Sequence, residues 1–324
     1  MNLSKSSSTV LSLRCAILCW VHEWSSGWNR FWYTPADPTI LAVIRVATGC
    51  LLVWSNAVWL MDVEGFFASR GWLPAIDTWL MNDQPWQWSW YFAAHTLEMQ
   101  YSLAIFSLVA SVCLLLGLAT PIASVISLLG LISTVNRAPL CVFGLDDVLG
   151  MISLSLAIGP CGAVWSLDRI LLDRWFPNRR SLTPLGARAS VRANVAVRLL
   201  QVHLCVLYGF AGTGKLLGGS WWEGTAIWGS VANSQYRTLD LTWLASHPLI
   251  VNAITLTALF WEVSYAALIW PRLTRPLVLI MAIFVHIGIG LAMGMLEFGL
   301  AMLAANIAFL LPLAASAQNP ADPI

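Results

Sequence analysis

Charge is what this sequence has least of. Only 10% of its 324 residues are Asp, Glu, Lys or Arg, against about 25% in ordinary globular domains. A chain of this length cannot cover a water-facing surface with so few charges. Its 58% hydrophobic content excludes disorder, and its length and composition exclude a small secreted disulfide scaffold. No basic tract occurs, and the net charge of +1 offers nucleic acid no electrostatic footprint. No CxxC or Cys/His metal spacing occurs among the seven cysteines at 15, 19, 50, 113, 141, 161 and 205, so no metal site is expected. Cys141 and Cys161 flank one apolar run, too far apart along a helix to bridge easily. Buried thiols acting as small hydrophobes are the expectation. No internal repeat is visible, so an inverted-repeat transporter gains no support. What remains is an integral membrane protein whose partner is the lipid bilayer.

Long apolar runs are what the chain has in quantity. A spanning helix needs about 20 mostly apolar residues, and eight runs qualify as candidates: Thr39–Met61, Tyr101–Thr120, Pro121–Asn136, Val148–Val164, Leu199–Gly214, Pro248–Trp270, Pro276–Leu296 and Phe298–Ala317. Prolines at 38, 121, 248 and 276 suit first helical turns and would break helix interiors. Pro121 divides the charge-free stretch 101–136 into a tight hairpin of two helices; the third and fifth runs are short for full spans. The expected fold is all-α, a polytopic membrane bundle of about eight helices over residues 35–317. Residues 1–34 form a cytoplasmic or interfacial segment, and 318–324 a short tail.

Basic residues favour the cytoplasmic side of membrane proteins. With eight spans, eleven of the 17 Lys and Arg residues fall on one side: Lys5, Arg14, Arg30, six between Arg169 and Arg192, Arg272 and Arg275. Four, namely Arg70, Arg137, Lys215 and Arg237, fall on the other, while Arg45 and Arg198 lie within helices. Both termini are therefore expected in the cytoplasm of a bacterial-type cell membrane. The outer loops 62–100 and 215–247 are rich in tryptophan, including Trp72, Trp86, Trp88, Trp221, Trp222 and Trp243. An interfacial aromatic belt and a partly dry cavity lined by Trp both fit that content.

Ionisable residues inside a membrane are costly and are paired or functional. Arg45, Glu262 and His286 are the candidates, with Arg198 near a cytoplasmic helix end. Arg45 either snorkels toward the cytoplasm or pairs with Glu262. Glu262 and His286 lie midway along successive runs, where they would form either a proton-carrying pair or a structural hydrogen bond. The stretch Tyr208-Gly-Phe-Ala-Gly-Thr-Gly-Lys215-Leu imitates a phosphate loop, but Leu216 replaces the required Ser or Thr and no βαβ context surrounds it. Its glycines at 209, 212 and 214 permit close helix packing and deliver one lysine to the outer rim of an apolar bundle. Lys215 there is either a snorkelling surface lysine or a base whose neutral amine is made accessible by desolvation. Asp146 and Asp147 either cap the fourth run or supply acid–base chemistry on the same side as Lys215.

An ordered set of motifs carries a family resemblance. Thr34-Pro-Ala-Asp-Pro38 leads into a helix with Arg45, and Trp165-Ser-Leu-Asp168 follows the fourth run. Ala211-Gly-x-x-Lys215-Leu216 is followed by Trp221-Trp-Glu-Gly224, then by Glu262 and His286. Over 34–313 this set resembles the HTTM domain, the membrane module of vitamin K-dependent γ-carboxylases. The resemblance implies a lyase-like enzyme that deprotonates reduced vitamin K or another quinone, lets it react with oxygen and uses the resulting strong base. It implies Lys215 as the base, with Glu262, His286 and Glu223 in support. Two departures are visible. Phe143-Gly-Leu-Asp-Asp147 stands where the carboxylases bear a histidine, so Asp146 is a replacement acid–base candidate. The lumenal substrate-binding domain does not follow, so peptide carboxylation would require a separate soluble exoplasmic partner. A non-catalytic scaffold or permease-like protein with the same fold is the alternative.

Overall fold

The computed structural model describes residues 3–68, 71–81, 87–175, 189–235 and 238–310; the expected tail 318–324 lies outside them. Fourteen α-helices occur among these residues. In order they are α1 (Leu3–Tyr33), α2 (Thr39–Met61), α3 (Val63–Phe67), α4 (Ala75–Met81), α5 (Leu97–Leu116), α6 (Thr120–Arg137) and α7 (Gly144–Ile158). Then follow α8 (Leu167–Trp175), α9 (Val191–Leu216), α10 (Gly219–Trp222), α11 (Ala226–Val231), α12 (Pro248–Leu268), α13 (Arg275–Met293) and α14 (Leu296–Asn306). No strand occurs among the described residues.

Each of the eight apolar runs becomes a helix. Five of these, α2, α5, α9, α12 and α13, are long and apolar enough to cross a membrane. The helices α6, α7 and α14 have 18, 15 and 11 residues. The fifth run proved longer than its apolar content indicates. Ser190 accepts a hydrogen bond from Ala193 N at 3.1 Å and starts α9 one full turn or more before the first uninterrupted apolar residues. That N-cap satisfies one of the orphan donors at the helix start. Pro121, Pro248 and Pro276 all stand in first turns, as their missing N–H groups favour.

One apolar core joins residues of α2, α5, α6, α7, α9, α12, α13 and α14, among them Leu41, Leu114, Leu149, Leu200, Tyr265 and Ala305. Two buried arginines organise its ends. Arg45 neither snorkels nor meets Glu262. It is fully buried, donating Nη1 to Leu114 O at 3.1 Å and Nη2 to Trp165 O. Gly117, with φ of +69°, ends α5 beside that guanidinium, where a Cβ would collide with Arg45 Nη1. Asp168 accepts from Ala119 N, Thr120 N and Thr120 Oγ1 at 2.7–2.8 Å, capping α6. The Trp165–Asp168 motif is thus a clamp on the α5–α6 hairpin. Burial alone would raise the Asp168 carboxyl, but these hydrogen bonds and the Arg45 charge outweigh it and hold the group below its usual range.

Arg137, counted above with the outer loops, closes α6 and is fully buried instead. It donates to the carbonyls of Phe67, Ala68 and Leu73 and to Thr78 Oγ1 at 2.8–3.2 Å. Those bonds fold the segment after α2 down over the bundle. Phe67 stacks on Tyr91 at 4.1 Å between centroids, completing an outer apolar cluster. Trp72, Trp88, Trp222 and Trp243 remain exposed, as an interfacial belt requires; Trp86 lies outside the described residues.

Candidate functional site

Two polar assemblies sit side by side between α9, α12, α13 and α14. The first is an ion pair. Lys215 Nζ lies 2.6 Å from Glu262 Oε2, with side-chain exposures of 25% and 12%. Lys215 is in the last turn of α9, but Glu262 is roughly two-thirds of the way along α12, about 20 Å from its start at 1.5 Å per residue. Side chains on a helix lean toward its N-terminus, so the lysine reaches back into the bundle. The pair therefore joins the end of α9 to the interior of α12. The outer half of α12 is flanked by the short helices α10 and α11, which occupy the space beyond the end of α9.

Gly212 makes this approach of α9 to α12 close. A Cβ there would stand 3.0 Å from Val263 N, so a larger residue would push the helices apart. Gly209 and Gly214, expected to share that role, face open space. Above the pair, the Trp221 ring centroid lies 5.3 Å from Lys215 Nζ, within cation–π range. Trp222 Nε1 donates to Leu216 O at 2.8 Å, which accounts for one carbonyl at the end of α9. Phe210, Leu217 and Trp222 are exposed nearby in sequence.

The second assembly is closed. Tyr208, two turns before Lys215 on α9, shares a 2.6 Å hydrogen bond with His286 Nε2. Asn306 Nδ2 donates to the Tyr208 hydroxyl at 3.2 Å and to Met302 O at 2.8 Å. Tyr265 donates to Asn306 Oδ1 at 2.7 Å and packs on the Tyr208 ring at 3.9 Å. With its oxygen accepting from Asn306, Tyr208 has its own proton free for His286 Nε2, while His286 Nδ1 is buried without a hydrogen-bond partner among the described residues. Trp261 and Phe298 border the imidazole at 6.0 and 6.2 Å between centroids.

Glu262 and His286 both face the bundle interior, with His286 only 3% exposed, yet they are not partners. Glu262 takes Lys215 and His286 takes Tyr208. Glu223 is exposed; its backbone carbonyl accepts from Asn252 Nδ2 at 3.2 Å, and Lys215 pairs with Glu262 instead. Asp146 Oδ2 accepts from Phe143 N at 3.0 Å, reaching back to the N-cap residue of α7. Capping is therefore the role the geometry gives it, with no contact to Lys215. Tyr208 and Asn306 were missed as site residues. A lone Asn in the apolar final run was the available signal for the second.

Compared with protein-family models, with curated proteins and with solved structures, the chain gives no match. The likeness to the HTTM domain rests on the motifs alone.

Proposed function

We propose that this chain is a membrane-embedded, proton-abstracting enzyme of the HTTM type, with Lys215 as base and Glu262 as its proton partner. The 2.6 Å Lys215–Glu262 pair is the observation that carries this reading. In this role Glu262, the carboxylate nearest the amine, would accept a lysine proton. The amine is then free to take the proton of a weakly acidic, lipophilic substrate such as a reduced quinone. A bound hydroquinone would supply, once deprotonated, the electron-rich ring that reacts with oxygen.

The residues present suit such a substrate. Lys215 is a quarter exposed, and Trp221 offers an aromatic face beside it. The closed Tyr208–His286–Asn306 network holds α9, α13 and α14 in register and keeps the floor of the site rigid. A purely structural tie between α9 and α12 is the rival. The packing of Gly212 on Val263 already joins those helices without the charges. The test is epoxide formation from reduced vitamin K in membranes with and without the protein. Epoxide above the protein-free level supports the reading; equal levels favour the scaffold.

A further inference from the structure

Toward the opposite end of α9 from Lys215, two arginines lie close together with no carboxylate between them among the described residues. Arg198, on α9, stands 4.4 Å over the Phe31 ring and donates Nη1 to Gln201 Oε1 at 2.9 Å. Arg275, the first residue of α13, is 5% exposed and donates Nε to Ile269 O at 3.0 Å and Nη2 to Trp270 O. Phe31 and Trp270 are in contact at 5.7 Å between centroids, so the two guanidiniums bracket one aromatic pair and repel each other.

Among the described residues, neither arginine forms an ion pair. Arg198 Nε and Arg275 Nη1 are buried without an acceptor. Two partly desolvated like charges with unused donors are costly unless an anion completes them. This end of the bundle is also the one expected to be cytoplasmic, where basic pockets between helices meet anionic headgroups.

A groove of about 600 Å³ runs along the same half of the molecule between α2, α13 and α14. Its walls include Cys50, Leu51, Leu279, Ile283, Leu303 and Leu310, and its volume lies within the usual range for small-molecule sites, about 300–1,000 Å³. Leu310 adjoins Phe309, whose ring packs on Trp270 at 5.4 Å. Arg275, Leu279 and Ile283 recur every four residues and share a stripe of α13. Groove and arginine pair are thus linked along α13.

We propose that Arg198 and Arg275 bind the phosphate of an anionic phospholipid from the cytoplasmic leaflet, with one acyl chain lying in the α2–α13–α14 groove. This site is separate from Lys215, and its test needs no enzymatic activity. Delipidated protein in detergent is given phosphatidylglycerol or phosphatidylcholine of identical chains, and native mass spectrometry measures the lipid retained. Wild type should favour phosphatidylglycerol by about thirtyfold, the scale expected of two interfacial arginines at about 1 kcal/mol each. Arg198→Gln should lose most of that preference and Arg198→Lys should keep much of it. Arg275→Gln should behave like Arg198→Gln if it folds, and the half-buried Arg198 decides the matter if it does not. Leu303→Trp, which fills the groove, should weaken retention of both lipids. An unchanged preference in Arg198→Gln would overturn the proposal. Displacement of the lipid by an equal concentration of glycerol phosphate would also overturn it, in favour of a free-phosphate site.

Discussion

Lys215 Nζ and Glu262 Oε2 stand 2.6 Å apart, joining the end of α9 to the interior of α12. That pairing redistributes the intramembrane charges: Glu262 belongs to the lysine, and His286 belongs to Tyr208 at 2.6 Å. A partly accessible ion pair therefore lies next to a sealed neutral network. The two have opposite mechanical and chemical characters, and substitutions separate them.

Removing the hydroxyl in Tyr208→Phe leaves His286 Nε2 and one Asn306 proton unsatisfied at buried positions. The expected loss is about 1–3 kcal/mol, the usual cost of an orphaned buried polar group. It should appear as a lower unfolding midpoint in detergent, with the protein still inserted. A midpoint equal to wild type would show that the network adds nothing to stability.

The Asp168 cap gives a pH dependence of known sign. Its carboxyl is held below the usual range in the folded protein, so its stabilising contribution is fully present above the unfolded value of about 3.9. The contribution is lost as pH falls through the lower folded value. Thermal midpoints of wild type and Asp168→Asn should differ by a constant amount between neutral pH and about pH 5 and converge below about pH 4. A difference that persists unchanged into strong acid would remove the ionised carboxylate from the clamp.

The division of basic residues between the two sides, eleven to four in the sequence and eleven to three with Arg137 buried, predicts the topology. Reporters inserted after Asp173 and after Trp243 should report opposite sides of the membrane, with Asp173 cytoplasmic. Both on one side would contradict eight crossings.

Much of the architecture was legible because apolar length and proline position are local signals. The runs beginning at Pro121, Pro248 and Pro276 start where their helices start, to within a residue or two. The fifth run was underestimated because Arg192 and Arg198 interrupt its hydropathy while leaving its helix intact. Arg45 and Arg137 were misread for a different reason. Their partners are backbone carbonyls tens of residues away, and a carbonyl acceptor leaves no mark in the sequence. In the site, Lys215, Glu262 and His286 stood out as rare intramembrane ionisable groups. Which of them pair depends on how α9 crosses α12 at Gly212, and that crossing is set by packing across the whole bundle. For Asp146 the sequence leaves chemistry and capping open, and the bond it accepts from Phe143 N is a local contact at the start of α7.

Turnover by Lys215→Arg is the most direct measurement of whether Lys215 is the base. Arginine preserves the positive charge opposite Glu262 but does not deprotonate in proteins. Wild type and variant, at matched levels in the same vesicles, are supplied with reduced vitamin K and oxygen, and epoxide is measured over time. The expected result is a folded Lys215→Arg protein with turnover at the protein-free background. Turnover in the variant equal to wild type would contradict Lys215 as the base.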